Sequence, residues 1–525
     1  METKAISFGR SLAVPFVQEL AKKGLTSVPP RYVHHDQDPP IISLDFCSPQ
    51  VPVVDMQRLL SEDFTDSELQ KLDQACREWG FFQLINHEMS SRLVGKVKLE
   101  TEEFFKLPME EKSKYVQQEG DVEGYGNMFV LSDDQKLHWG DRLYFTTSPP
   151  HLRKPHLFPN LPPSFRESLE AYSTGLINVA ARILRLIGKN LRMDDNEMTL
   201  LSEGRQSMTF NYYPPCPQPE QVIGLPPHSD ASGITILHEI NDVQGLQIKK
   251  DGMWIPVKPL PNAFIINIGD ALEILSNGTY RSIEHRVTVN SLKERISIAT
   301  FCSPKMDGEI GPAPSLVTLE TPAMFRRISV VDYIKALALQ MHGNKGCLEK
   351  ERIALLTIKP FIINATILYY SDDNNRTIES WVDDRVSNCC DWYRVECNTT
   401  TGRVMNLSLS GLLYGSTTIL NFSLFQPLEQ LQILDLSDNI FEGWVASRGL
   451  GNLRNLEFLD LGENLMMISS LQELGGALAN LINLKFLDLS GNRMSGSLQQ
   501  ENLRNLKFLD LSSNGMNGSL QELGN

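Results

Sequence analysis

The sequence predicts a mixed fold in two parts. The first is a double-stranded β-helix (jelly roll) with a helical N-terminal region, and the second is an α/β solenoid of leucine-rich repeats. Between residues 207 and 301, short β-branched or aromatic runs such as GITILHEI, AFIINI and SIATF alternate with Gly, Pro and Asn turns, as in closed all-β cores. After residue 430 the pattern L-x-x-L-x-L-x-x-N occurs four times, which is typical of a repeat solenoid.

The length of 525 residues exceeds that of one ordinary domain, so we expect several. The expected segments are an N-terminal arm at 1–50, a helical N-terminal region at 51–200, a jelly-roll core at 201–342, an N-terminal cap of the solenoid at 343–403 and a truncated repeat array at 404–525.

Local patterns place the elements of the first part. Apolar runs predict strands at 51–56 (VPVVDM) and 81–86 (FFQLIN). Helical periodicity predicts helices at 11–23, 68–79, 90–105, 163–191 and 331–340.

The four repeats end at Asn439, Asn464, Asn492 and Asn514, which are 25, 28 and 22 residues apart. We expect the alternating leucines to fill a core and the Asn side chains to bond the backbone at each turn. The expected concave face carries an apolar stripe of Ile433, Phe458, Phe486 and Phe508 beside a ladder of Asp435, Asp460, Asp488 and Asp510. Such a surface suits a peptide or protein ligand, although the repetition favours a generic strand ladder over a specialised pocket.

Composition limits the partners. The net charge of −15 and the pI near 5.2 argue against nucleic acid or an anionic membrane as a partner. No run of 18 apolar residues appears, so we expect no membrane span. The N-terminus METKAISFGR lacks an apolar signal segment, and a cytoplasmic location is therefore expected.

The strongest functional pattern is the set His228, Asp230 and His285. Residues i and i+2 of a strand share a face, so His228 and Asp230 are placed to chelate from one strand end while His285 comes from another strand. Two histidines and a carboxylate occupy one face of an octahedral Fe(II) site and leave three positions open. A chance His-x-Asp is the alternative, and it would be favoured if this pair stood alone.

Ten residues beyond His285, Arg295 and Ser297 share another strand face. A guanidinium binds a carboxylate through two parallel hydrogen bonds, and a hydroxyl beside it adds a third. The pair therefore suits the far carboxylate of a small dicarboxylic acid. Tyr213 is a candidate for one more hydroxyl contact.

Several segments resemble the plant 2-oxoglutarate- and Fe(II)-dependent dioxygenases: NYYPPC (211–216), GLPPHSD (224–230), EHRVTV (284–289), ERISIATF (294–301) and GFFQLINHEMS (80–90). YGNMFVLSDDQKLHWGDRLYF (125–145) is similar to the senescence-related and O-demethylase branch. The similarity runs from about residue 10 to about 342. One departure is Glu88, where relatives usually have Gly.

The resemblance implies the site residues and the chemistry. His228, Asp230 and His285 would be the catalytic iron ligands, and Arg295, Ser297, Tyr213 and Asn211 would lie at 2-oxoglutarate. The implied co-substrates are 2-oxoglutarate and O₂, with Fe(II) as cofactor and ascorbate as reductant. The implied reaction is hydroxylation, O-demethylation or desaturation of a small plant specialised metabolite, with release of succinate and CO₂. Phe129, Phe145 and Phe301 are candidate pocket aromatics, although core packing is the more frequent role of such residues.

The eight cysteines divide evenly. Cys47, Cys76, Cys216 and Cys302 are expected to be free buried thiols. Cys347, Cys389, Cys390 and Cys397 form a close-set group that indicates two disulfides. CLEKERIALLTIK (347–359) and SNCCDWYRVEC (387–397) resemble the N-terminal cap of plant leucine-rich-repeat receptor-like proteins, and this resemblance implies the pairs Cys347–Cys389 and Cys390–Cys397.

The two halves predict opposite redox compartments, and the repeat array ends without a C-terminal cap, so we interpret the chain as a chimera of an oxygenase and a truncated receptor fragment. Two alternatives remain open. The first is a leucine-rich-repeat binding protein with a passenger oxygenase domain. The second is a jelly roll that binds metal without oxygenase activity. The sequence leaves the substrate and the oligomeric state undetermined.

Overall fold

The chain is described from a computed structural model. It divides into two compact units, Met1–Pro322 with Arg327–His342, and Ala323–Arg326 with Gly343–Asn525. The residues described are 12, 14–34, 50–118, 121–127, 130, 135–194, 196–341, 347–366, 378, 380–382, 388–398, 402–413, 418–445, 450, 453–466, 481–494 and 505–514.

The helices of the first unit flank a large sheet. They are α1 (Val17–Ala21), α2 (Met56–Leu59), α3 (Thr65–Glu78), α4 (Ser91–Lys106), α5 (Met109–Lys112), α6 (Pro163–Leu191), α7 (Thr199–Ser202), α8 (Asp270–Leu275) and α9 (Val330–Met341). In the second unit, α10 spans Glu349–Thr366. Within the described part of the chain, we find no helix with the length and apolar character that crossing a bilayer demands.

The strands of the first unit begin before the predicted jelly-roll core. They are β1 (Val53–Asp55), β2 (Phe81–Ile85), β3 (Gly124–Gly126), β4 (Asp141–Ser148), β5 (Arg205–Tyr213), β6 (Leu225–His228), β7 (Ile234–Glu239), β8 (Leu246–Lys250), β9 (Met253–Pro256), β10 (Phe264–Ile268), β11 (His285–Val287), β12 (Arg295–Ser303), β13 (Glu309–Ile310) and β14 (Ile328–Ser329).

Two sheets form the predicted jelly roll. The large sheet has the order β1-β2-β10-β7-β12-β5-β4-β3, and the small sheet has the order β6-β11-β8-β9. Apart from the parallel β1–β2 pair, the strand pairings described in these sheets are antiparallel. Because β1 to β4 belong to the large sheet, segments 51–200 and 201–342 build one unit together.

The two faces of the large sheet have different roles. Ile296 and Ile298 of β12 are buried on the face that packs against α6, where Phe165 meets Phe210 of β5. Side chains alternate along a strand, so Arg295 and Ser297 project to the opposite, inner face. The inner face is therefore the face available for a site.

Local predictions differ from the structure mainly at element ends. The helices predicted at 68–79, 90–105 and 331–340 correspond to α3, α4 and α9, and α6 has the predicted bounds. The helix predicted at 11–23 is shorter, because α1 covers only Val17–Ala21 and ends at a Gly-containing turn. Glu88 has φ 60°, a left-handed conformation that favours glycine, and its carboxylate pairs with Arg182 of α6.

The second unit is built on a six-stranded sheet whose repeat strands pair in parallel. Its strands are β15 (Val395–Cys397), β16 (Val404–Ser408), β17 (Thr418–Asn421), β18 (Ile433–Asp435), β19 (Phe441–Val445), β20 (Phe458–Asp460), β21 (Phe486–Asp488) and β22 (Phe508–Asp510). The order β15-β16-β18-β20-β21-β22 places the four repeat strands side by side in register.

The Asn residues of the repeats have the predicted role. Asn464 is buried, its Nδ2 donates to the carbonyls of Leu436, Leu461 and Gly462, and its Oδ1 accepts from the backbone N–H of Phe441. Asn439 and Asn492 make the equivalent contacts one repeat away. The expected stripe also forms, with the rings of Phe458 and Phe486 stacked at 4.1 Å.

The cysteine predictions are confirmed where they fall on described residues. Cys76, Cys216 and Cys302 are free and buried. The disulfides are Cys347–Cys389 and Cys390–Cys397. Cys47 lies outside the described residues.

Asn464→Ala is expected to destabilise the second unit by about 3 kcal/mol, since it leaves buried carbonyl and N–H groups without partners. Asn483→Ala is the matched control, because Asn483 is exposed and its Nδ2 donates only to the carbonyl of Arg454. Thermal unfolding of the full chain measures both. Equal shifts of the unfolding temperature in the two variants would contradict the role proposed for the buried Asn residues.

A buried histidine joins α6 to the large sheet. His238 of β7 shares a hydrogen bond of 3.1 Å between its Nδ1 and the Tyr172 hydroxyl, and its ring lies edge-on to Phe264. Burial lowers the pKa of His238 to about 4, with smaller contributions from the charges of Lys98 and His87. At a pH between about 4 and about 6.5, the imidazole is therefore neutral in the folded protein and protonated in the unfolded chain.

The lowered pKa of His238 predicts that the folded protein loses stability in acid. Its folded pKa lies below the unfolded value of about 6.5, so stability falls as pH drops from about 6.5 to about 4, by at most roughly 3 kcal/mol. In a Tyr172→Phe background, His238→Leu is expected to flatten the pH dependence of the unfolding midpoint in that window. An unchanged pH dependence relative to Tyr172→Phe alone would contradict this assignment.

Candidate active site

The structure brings the three predicted ligands together at the edge of the small sheet. His228 ends β6 and His285 begins β11, and the two residues are direct partners in the antiparallel ladder. Asp230 follows two residues after His228. One ligand atom from each residue lies within 4.8 Å of the others. In the described residues this is the group of histidine, cysteine and acidic side chains whose geometry suits a metal.

Backbone contacts orient both imidazoles. Nδ1 of His228 lies 2.9 Å from the carbonyl of Pro226, and Nδ1 of His285 lies 3.2 Å from the carbonyl of Ile283. A carbonyl only accepts, so each Nδ1 carries the proton and each Nε2 keeps its lone pair. This arrangement is the one that histidine ligands adopt when the second nitrogen is held by the protein.

The two oxygens of the Asp230 carboxylate have different roles: one makes hydrogen bonds within the fold, and the other faces the histidines. Its Oδ2 accepts from the Thr235 hydroxyl at 2.7 Å and from Asn267 Nδ2 at 2.8 Å. Its Oδ1 lies 3.5 Å from His228 Nε2 and 3.8 Å from His285 Nε2. Two nitrogen lone pairs and one carboxylate oxygen therefore converge, and this donor set fits Fe(II).

Electrostatics favour the metal-binding protonation states of Asp230 and His285. Burial lowers the pKa of His228, but the hydrogen bond and charge of Asp230 outweigh it and raise that pKa above its usual value. Burial raises the pKa of Asp230, but the charges of His285 and His228 outweigh it and leave the pKa well below its usual range. Burial also lowers the pKa of His285 to about 4. An ionised carboxylate beside a neutral imidazole is what a divalent cation requires.

Arg295 lies on the inner face and is fully buried at 1% exposure. Its Nη2 donates to Glu239 Oε1 at 2.5 Å. Burial lowers its pKa, but the charge of Glu239 outweighs this and raises the pKa above its usual value. Among the described residues, Nε and Nη1 of Arg295 have no hydrogen-bond partner, so two buried donors remain available to a ligand.

The other predicted contacts surround Arg295. Asn211 is the cross-strand partner of Ser297, and its Nδ2 lies 3.5 Å from the Ser297 hydroxyl. The Tyr213 ring lies under the Arg295 guanidinium at 5.3 Å. Burial raises the pKa of Tyr213 to about 12, so its hydroxyl is protonated at neutral pH.

Close approaches require glycine beside these residues. A Cβ at Gly140 or at Gly224 would stand 2.8 Å from Cδ1 of Tyr213, and one at Gly245 would stand 2.8 Å from Cδ of Arg295. The glycines thus make room for the ring and the guanidinium.

Sequence reasoning missed three residues that support the site: Thr235, Asn267 and Glu239. Glu239 carried a weak signal, since it is an acidic residue at the end of the largely buried strand ITILHE, where a charge needs a partner. Thr235 and Asn267 are register partners between β7 and β10, which only the sheet pairing reveals.

The structure places the candidate pocket aromatics on different faces of the large sheet, where they fall on described residues. Phe301 lies on the inner face of β12, in register with Ser207 and Thr235. Phe145 is wrong as a pocket residue, because it lies on the outer face and packs against Phe158 and Phe210. Phe129 lies outside the described residues.

Family models match both halves of the first unit. Residues 204–304 match the 2OG-Fe(II) oxygenase superfamily, and residues 51–164 match the non-haem dioxygenase in morphine synthesis N-terminal model. A Leucine Rich Repeat model matches residues 483–501.

Curated relatives agree with these models. The chain is 52% identical to Protein SRG1 of Arabidopsis thaliana over 358 residues, which are 67% of this chain and 100% of the relative. It is 52% identical to oxoglutarate-dependent flavonoid 7-O-demethylase 1 of Ocimum basilicum, over 67% of this chain and 94% of the relative. It is 50% identical to codeine O-demethylase of Papaver somniferum, over 67% of this chain and 100% of the relative.

A crystal structure of JOX2 in complex with 2OG, Fe, and JA has a TM-score of 0.57 and 35% identity, covering 64% of this chain and 95% of that chain. The chain therefore belongs to the 2OG-Fe(II) oxygenase superfamily. It is a 2-oxoglutarate/Fe(II)-dependent oxygenase, and family membership implies Fe(II), 2-oxoglutarate and O₂.

Proposed function

We propose that the first unit oxidises a small plant metabolite at the centre formed by His228, Asp230 and His285. The observation that carries this proposal is the convergence of Nε2 of both histidines and Oδ1 of Asp230. When bound there, Fe(II) supplies O₂ activation coupled to decarboxylation of 2-oxoglutarate to succinate and CO₂.

The residues of this chain position and enclose the reactants. The Nε and Nη1 donors of Arg295, with the Ser297 hydroxyl, hold the far carboxylate of 2-oxoglutarate. Asn211 orients the Ser297 hydroxyl, and the Tyr213 ring supports the guanidinium from below. Since Arg295 is buried, these hydrogen bonds form in a low dielectric, where they are stronger than in water.

The reaction is hydroxylation, O-demethylation or desaturation. Two of the relatives are named as O-demethylases, one of a flavonoid and one of codeine, and this favours O-demethylation of a methyl ether. Removal of a methyl group begins with hydroxylation of its carbon and ends with loss of formaldehyde, so it needs the same centre as hydroxylation.

The first prediction concerns the metal. His228→Ala in the full chain is expected to weaken Fe(II) binding by more than about a hundredfold, because it removes one of three ligands. Anaerobic Fe(II) titration measures this directly. Succinate formation from 2-oxoglutarate, with Fe(II) and ascorbate and a panel of methoxylated plant metabolites, measures the consequence.

His151→Ala is the control, since His151 is an exposed histidine of the same unit. Full Fe(II) affinity in His228→Ala, or absence of succinate formation by an iron-loaded wild-type protein, would contradict the proposed function.

The second prediction concerns the co-substrate. Glu239 neutralises Arg295, so Glu239→Gln is expected to keep an acceptor for Nη2 while removing the negative charge. The dissociation constant of 2-oxoglutarate should then fall by about tenfold. Calorimetry on Mn(II)-loaded protein without O₂ measures it.

Glu294→Gln is the matched control. Glu294 is adjacent to Arg295 in sequence, but it is exposed, and its carboxylate accepts a hydrogen bond from the Tyr212 hydroxyl on the outer face of the sheet. Weaker or unchanged binding of 2-oxoglutarate in Glu239→Gln would contradict the role given to Arg295.

We further propose that residues 404–525 form a leucine-rich-repeat array with residues 343–403 as its N-terminal cap. The buried Asn ladder and the parallel strands support this, as does the match at 483–501. The stacked stripe of Phe458, Phe486 and Phe508 supports a peptide or protein ligand on that face.

A further inference from the structure

A second arginine lies on the inner face of the large sheet. Arg142 of β4 is the cross-strand partner of Asn211, and Asn211 is the partner of Ser297. Directly opposed residues of antiparallel strands project to the same face. Arg142 therefore shares one cross-strand row with two residues of the site, although it lies on a strand that the metal and 2-oxoglutarate residues do not use.

Arg142 has no acidic partner among the residues that the structure describes. The side chain is half-buried and its guanidinium lies over the Tyr144 ring at 5.6 Å. Within the described ranges, no carboxylate forms an ion pair with Arg142, whereas Arg295 on the same face is paired with Glu239. Burial lowers the pKa of Arg142, which reflects the cost of removing its charge from water.

The position of Arg142 separates it from the groups that 2-oxoglutarate would use. Strand β5 lies between β4 and β12, so Arg142 and Arg295 stand two strand spacings apart, about 10 Å in the sheet. One end of 2-oxoglutarate is taken by the metal and the other by Arg295 in the proposed function. No carboxylate of the co-substrate then remains for Arg142.

Tyr144 completes the local surface. It lies two residues beyond Arg142 on the same face of β4, and its hydroxyl donates to the Ser207 hydroxyl at 3.3 Å. Its ring is thereby fixed, and it supports the guanidinium from one side. The free edge of Arg142 is left to pair with a planar anion.

We propose that Arg142, supported by Tyr144, binds a carboxylate of the primary substrate, so that the enzyme acts on small organic acids rather than on neutral or cationic relatives of the same size. This inference rests on the proposed function, because it assumes that the metal and 2-oxoglutarate occupy the site described above. It assigns Arg142 to substrate specificity.

The test compares acids with their neutral amides. Full-length protein loaded with Mn(II) and 2-oxoglutarate, without O₂, is titrated calorimetrically with three matched pairs: 4-methoxybenzoate, 4-methoxyphenylacetate and 4-methoxycinnamate, each against its primary amide. At least one acid is expected to bind about tenfold more tightly than its amide. Arg142→Met should abolish that ratio, and Arg142→Lys should retain part of it, because the charge remains but the bidentate fork is lost.

Arg92→Met removes an exposed arginine of α4 and should leave the ratio unchanged, which controls for net charge. No preference for the acid in any pair, including no detectable binding of either member, overturns the proposal. So does an acid preference that survives in Arg142→Met.

The dissociation constant of 2-oxoglutarate distinguishes a failure of the role proposed for Arg142 from a failure of the proposed function. It should be the same in wild type and Arg142→Met. If Arg142→Met weakens 2-oxoglutarate instead, Arg142 belongs to the co-substrate site and the proposal fails while the proposed function stands. If the wild type binds neither Mn(II) nor 2-oxoglutarate, the proposed function itself fails.

Discussion

The hydrogen bonds that hold the Asp230 carboxylate are the interaction on which the site of the first unit depends. Its Oδ2 is held by Thr235 of β7 and Asn267 of β10, and its backbone carbonyl accepts from the N–H of Asp270 at the start of α8. The large sheet thus fixes a residue that follows directly on the small sheet. Because one oxygen is committed to these bonds, the other is left facing the two histidine nitrogens, and the three donor atoms lie close enough together to hold a metal ion.

The inner face of the large sheet adds two arginines to the residues at this junction. Arg295 is buried but balanced by Glu239, so its cost of desolvation is reduced while Nε and Nη1 stay available. Arg142 is two strands away and holds no such partner in the part of the chain described. The register aligns Arg142, Asn211 and Ser297 in one cross-strand row. In the functions proposed above, the substrate contact and the co-substrate contacts therefore stand at separate points of one sheet.

Much of this arrangement follows from the sequence, and the remainder has physical reasons. His228 and Asp230 could be predicted because a two-residue spacing on a strand fixes a common face, and His285 because its surroundings resemble a known family. The Asn ladder followed from the repeat spacing, whereas the disulfide partners followed from the resemblance to the cap of leucine-rich-repeat receptor-like proteins. Thr235 and Asn267 could not be assigned, since their roles arise from pairing between strands distant in sequence. Glu239 showed only that a charge at a strand end needs a partner, and the sheet identifies that partner as Arg295. Phe145 was misplaced because one step of register moves a side chain to the other face. Arg142 escaped notice for the same reason.

The most direct test of the account is an anaerobic crystal structure of the full chain with Fe(II) and 2-oxoglutarate. The account predicts iron bound to Nε2 of His228, Oδ1 of Asp230 and Nε2 of His285, with the far carboxylate of 2-oxoglutarate against Arg295 and Ser297. Iron at any other position would contradict it. So would a 2-oxoglutarate carboxylate paired with Arg142 while Arg295 remained bound only to Glu239.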